Sequence, residues 1–174
     1  MKFMKNKKII VKKLVVFLII LFTLYFVISC NIRKEKVLVI QDKTSNKKIE
    51  YYLPNCNFSL GYQHSVMKTP VEEFFYVNEH NQIVLEKIVY ESYGVGTPFL
   101  EEEGELEIIG GKYILKINRT FKEINMIISP IPNHWLTIGE EKHKLNDILE
   151  KPNSSIKIYI YQTYRLKSFF NDIF

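Results

Sequence analysis

The sequence predicts an all-β protein: an antiparallel β-sandwich, or a partly open barrel, with an N-terminal signal or membrane-anchor helix. Three observations carry that expectation. From residue 37 onward, runs rich in Ile, Val, Tyr and Phe alternate with turn-forming residues at short intervals. Beyond the N-terminal segment no long stretch repeats its apolar residues at helical spacing. The first 29 residues are basic and then apolar, unlike anything that follows.

That first segment opens with Lys2, Lys5, Lys7, Lys8, Lys12 and Lys13 and contains no acid. Residues 14–29 then carry no charge. Crossing a bilayer as a helix takes about 20 apolar residues, whereas a secretory signal uses about 7–15. The run sits between the two, so an uncleaved anchor and a cleaved signal are both open. The basic flank is expected to stay in the cytoplasm, which places the rest of the chain outside. The run ends in Val27, Ile28, Ser29 and Cys30, which resembles a bacterial lipobox, with Cys30 as the lipidation site. Residues 30–36 read as a polar stalk. With Cys30 lipidated, Cys56, the second of two cysteines, has no disulfide partner.

The net charge of +5 does not make the chain a nucleic-acid binder. Six of the 24 basic residues lie in the targeting segment, and the rest is nearly balanced against 19 acids. Nucleic-acid binding needs a basic patch on the folded part.

Residues 37–162 form the expected sandwich. Strands are read at 37–41, 48–53, 58–66, 71–78, 82–93, 104–109, 112–118, 124–129, 134–138 and 156–161. Gly110 and Gly111 between two alternating runs signal a hairpin. Residues 144–150 suit one or two helical turns. The tail 163–174 is expected to form a short helix from Tyr164. Such a set of short strands fits a sandwich or barrel.

Alternation puts Phe58, Leu60, Tyr62, His64 and Val66 on one face, and Val71, Glu73, Phe75 and Val77 on another. A hairpin closing over residues 67–70 would pair Val66 with Val71 and set His64 against Glu73. That pair would be a polar lock on the apolar side.

Three blocks carry a resemblance: GYQHSVMKTPVEEFF at 61–75, YESYGVGTP at 90–98 and SPIPNHWL at 129–136. Together they resemble the bacterial family catalogued as Domain of Unknown Function 1850, over about residues 36–162. The resemblance implies a small exported protein, an accessory to tripartite (TRAP) transporters of the TAXI type, at the outer face of the bacterial cytoplasmic membrane. Membrane and transporter subunits are the expected partners.

Chemical motifs are sparse. Ser65 and Lys68 have S-x-x-K spacing, but a strand running into a turn is the wrong setting for that catalytic motif. Adjacent His64 and Ser65 point to opposite faces of a strand and cannot hydrogen-bond directly. His64, His134, Glu72 and Glu73 lack close metal-ligand spacing. Gly94 and Gly96 form a lone G-x-G without a following helix. No cofactor, metal or catalytic residue is therefore expected, and the chain reads as a non-enzyme. The candidate binding residues are His64, Lys68, Thr69, Glu72, Glu73, Tyr93, Gly94, Gly96, Asn133 and His134, expected to converge on one patch at strand ends. A small-ligand or peptide module without a transporter, and a hydrolase using the His64/His134 region, are the alternatives.

Overall fold

A computed structural model describes residues 2–92, 104–149 and 153–166. The chain divides into two compact units, one holding the N-terminal helix and the other, Glu35–Thr163, holding the β-domain. Helix α1 spans Lys2–Asn31. Within it, Lys12–Ser29 is long and apolar enough to cross a membrane, as a signal sequence also is. The N-terminal helix thus has the length and composition of a signal or anchor. Strand β1 begins at Ile32, directly after α1 in the sequence.

Eleven strands and one short helix follow among the described residues. They are β1 (Ile32–Asp42), β2 (Lys48–Tyr52), β3 (Asn57–Gln63), β4 (Pro70–Val77), β5 (Ile83–Tyr90), β6 (Glu105–Ile109), β7 (Lys112–Phe121) and β8 (Glu123–Ile128). Then come β9 (Trp135–Ile138), β10 (Glu141–Lys144), α2 (Leu145–Ile148) and β11 (Ser154–Leu166). Two antiparallel sheets result, with strand orders β2-β1-β11-β8 and β10-β9-β3-β4-β5-β7-β6. The fold is the expected all-β sandwich with an N-terminal helix.

The sandwich interior is apolar on both sides. Leu38, Ile40, Ile128, Ile156 and Ile158 of the smaller sheet share one core with Leu60, Phe75, Ile88, Tyr90, Leu115 and Leu136 of the larger. Fully burying a side chain of this size stabilises the fold by roughly 1.5–3 kcal/mol. The run from Val37 to Ile40 is wholly buried, as befits a strand covered on both faces.

Two local devices set the register. The β6–β7 hairpin turns at Gly110 and Gly111, whose φ angles of 59° and 79° a residue with a Cβ adopts at a cost. In β5, Phe74 pairs with Lys87 and Phe75 with Leu85, so Glu86 is an extra, unpaired residue. Strict alternation would send Leu85 and Ile88 to opposite faces. The bulge at exposed Glu86 lets both enter the core.

The β3–β4 hairpin differs from the sequence reading. It pairs Tyr62 with Val71, Leu60 with Glu73 and Gly61 with Glu72, and its loop runs over residues 64–69. Val71 meets Tyr62 and not Val66, so β3 is displaced by four residues along β4 from the expected pairing. The slide is even, so the inward face is unchanged, but His64 and Glu73 are not cross-strand neighbours. The reason lies in the loop. The His64 backbone N–H donates to the Thr69 carbonyl (2.9 Å) and the Lys68 N–H to the His64 carbonyl (3.0 Å). These bonds end the ladder earlier and leave Val66 70% exposed.

Two smaller differences concern the ends of the domain. Strand β10, a run of four polar residues, was hidden from apolar patterning. The segment from Tyr164, expected to be helical, continues as strand β11 to Leu166, and residues 167–174 lie outside the described residues.

Candidate functional site

The loop of residues 64–69 is the hub of the site. His64 is buried, and its Nδ1 accepts from the backbone N–H groups of Val66 (3.3 Å) and Met67 (3.2 Å). The ring therefore fastens its own turn. Lys68 holds a left-handed backbone at φ 57°, which a non-glycine residue adopts only when its surroundings impose it. Its carbonyl accepts from Gln63 Nε2 (3.1 Å), and its side chain is exposed.

Two contacts tie this loop to the other motif blocks. Thr69 Oγ1 lies 2.9 Å from Ser92 Oγ, within the second block. The Gln63 N–H donates to the Pro132 carbonyl (2.6 Å), within the third. Segments far apart in sequence thus meet at one end of the sandwich. Tyr93, Gly94 and Gly96, the remaining candidates of the second block, lie outside the described residues. Asn133 is exposed, with φ 47°. Val66, Met67 and Ile131 are 70%, 44% and 72% exposed on these adjoining loops.

The other candidates separate by sheet face. Glu72 stands on the outer face, where its carboxylate accepts from the Ser59 hydroxyl (2.6 Å). Glu73, one residue on, faces the interior. A cavity of about 350 Å³ opens there between the sheets, lined by Leu60, Tyr62, Glu73, Met126, His134 and Leu145 among others. It lies beside β8, the edge strand of the smaller sheet. Burial raises the Glu73 carboxyl above its usual value.

His134 enters the same cavity from the loop before β9. Its ring hydrogen-bonds the Ser129 carbonyl, and its Nδ1 is buried without a partner, so the donor is Nε2–H. Burial lowers its pKa, which keeps the ring neutral and Nδ1 an acceptor at neutral pH. The Tyr62 ring tilts against it at 6.1 Å between centroids. Burial, and then the nearby Glu73 charge, raise the Tyr62 hydroxyl.

The site therefore has two parts: an exposed tip built from 64–69 and 129–134, and an interior cavity holding Glu73 and His134. Among the described residues no serine, threonine or cysteine lines that cavity. Among the described residues no three His, Cys, Asp or Glu side chains group as metal ligands.

Sequence reasoning missed Tyr62 and the apolar walls Met126 and Leu145. Tyr62 was legible as an inward position of the first block. Met126 was not, because it reaches the cavity from a different sheet.

A sequence profile of the family described as Domain of unknown function (DUF1850) matches residues 58–145. That span contains Tyr62, His64, Lys68, Glu73 and His134. No curated protein and no solved structure matches the chain.

Proposed function

The chain belongs to the DUF1850 family, and from that premise we propose that it is a membrane-tethered, extracytoplasmic accessory protein of a TAXI-type TRAP transporter, without enzymatic activity. The exposed tip is the surface that meets the transporter's membrane subunit. The observation that carries this reading is the convergence of the three motif blocks on one end of the sandwich, with apolar Val66, Met67 and Ile131 left uncovered beside exposed Lys68. Uncovered apolar side chains gathered at one place, with polar neighbours, are characteristic of an interaction surface.

The tether supports the location. Basic residues before an apolar helix favour retention of that flank in the cytoplasm, so the sandwich is exported. Lipidation at Cys30 would hold it at the outer face after cleavage, and an uncleaved α1 would do the same.

The reading is tested by affinity capture of the full chain from its native membranes. Wild type is expected to retain a multi-helix transporter subunit, and a Val66→Asp, Ile131→Asp variant of unchanged thermal midpoint is expected to lose it. Equal capture by both, or no transporter subunit with either, contradicts the reading.

A second reading, a small-ligand module, is favoured by the intersheet cavity. A hydrolase at the His64/His134 region has less support, because His64 Nδ1 is engaged by its own turn and, among the described residues, no Ser, Thr or Cys lines the cavity as a nucleophile.

A further inference from the structure

We propose that the intersheet cavity binds a small apolar molecule bearing an ammonium group, held between the Glu73 carboxylate and His134 Nδ1. This inference deepens the small-ligand reading. Its residues face the interior, whereas the partner surface is the exposed tip, so each can fail without the other.

Size and walls come first. At about 350 Å³ the cavity falls at the lower end of the range of small-molecule sites. Leu60, Ile124, Met126 and Leu145 provide apolar walls from both sheets and from α2. A ligand body of six to ten carbons, roughly, suits such a space.

The polar groups decide the chemistry. His134 is 9% exposed, and its Nδ1 has no donor among the described residues. A buried acceptor without a donor is costly, and a ligand N–H removes that cost. Glu73 shares the cavity, and among the described residues no Lys or Arg lines it. Arg119 lines a neighbouring cavity of about 210 Å³ that also touches Glu73, yet no ion pair joins the two side chains. A carboxylate in these surroundings favours a cation supplied from outside.

The alternatives fit less well. An anionic ligand would face a carboxylate and a lone pair. A neutral alcohol would satisfy Nδ1 and leave Glu73 without a counter-charge. An ammonium group satisfies both, and the Tyr62 ring beside His134 adds an aromatic face that attracts cations.

The experiment uses the full chain in lipid nanodiscs at pH 7, with empty nanodiscs as the blank. The probes are phenethylamine, cyclohexylamine and hexylamine, compared with 3-phenylpropionate and 2-phenylethanol. Binding is read by calorimetry and by fluorescence of Trp135, the single tryptophan, which lines the cavity. Saturable binding of at least one amine is expected, at least tenfold tighter than of the acid and the alcohol. Glu73→Gln should weaken it at least tenfold, and His134→Phe severalfold. No saturable amine signal above the blank overturns the proposal. So does equal binding of 3-phenylpropionate, or unchanged binding by Glu73→Gln. If Glu73→Gln does not fold, Ile124→Phe fills the cavity from the opposite sheet. Retained amine binding in that folded variant is equally contradictory.

Discussion

Trp135 lies flat across Gly61: a Cβ on that glycine would sit 2.0 Å from Trp135 Cε2. The two residues are paired across β3 and β9, and Trp135 is itself covered by Lys142, whose Nζ stands 3.7 Å from its ring centroid. The contact explains why the first motif block contains a glycine inside a strand, where glycine is otherwise unfavourable. Gly61→Ala would gain about 0.5–1 kcal/mol from backbone entropy in an open strand. Here it should instead destabilise by about 1–3 kcal/mol through overpacking. Thermal or urea unfolding measures this, and Trp135→Leu should relieve most of the added cost in the double variant. A neutral Gly61→Ala would show that the ring moves aside freely.

The turn at 64–69 should depend on His64 and not on Glu73. His64→Ala removes a buried acceptor of two backbone N–H groups and should cost about 1–3 kcal/mol. Glu73→Ala should not reproduce that loss of turn structure. Equal effects on hydrogen exchange at Val66 and Met67 would restore the cross-strand pairing that the observed register rules out.

Stability should vary with pH in two opposed windows. Glu73 has its folded pKa raised above 4.5 by burial, so the native state binds its proton more tightly than the unfolded chain. Its ionisation lowers stability as pH rises from 4.5 through the folded value, and Glu73→Gln should stabilise the protein at neutral pH. His134 has its folded pKa depressed below 6.5 by burial. The unfolded chain takes up that proton first, so stability is lost as pH falls below 6.5. His134→Gln should flatten the decline between neutral pH and the carboxylate range. Denaturant titrations from pH 4 to 8 on both variants check the signs.

Much of the fold was legible because the sandwich core imposes period-two patterning. Leu60 and Phe75 were placed inward from alternation alone, and they are inward. Gly110 and Gly111 announced their hairpin. Strand β10 was hidden since Glu141, Lys142 and Lys144 form a polar edge whose pairing with Trp135–Ile138 leaves no apolar signature. The β3–β4 register was misread because Val66 reads as the next inward residue, while loop hydrogen bonds from His64 override that preference. The cavity was illegible for a different reason. Glu73, His134 and Met126 belong to three separate elements, and only the stacking of the sheets joins them.

The tether is a separate, simple matter. If Cys30 carries a lipid, Cys30→Ala should abolish incorporation of a palmitate analogue and retain the N-terminal segment. Unchanged mass and labelling would leave α1 as an uncleaved anchor.

The central claim is that the tip built by 64–69 and 129–134 meets a transporter subunit. The most direct measurement is photo-crosslinking from a benzophenone side chain placed at exposed Met67, in intact native membranes. His80 is the control, because the β4–β5 turn lies at the opposite end of β4 from the tip. The account predicts one ultraviolet-dependent adduct between Met67 and an integral membrane subunit of the transporter, with none from His80. An adduct of equal yield from both positions, or none from Met67 in cells that express the transporter, would contradict it.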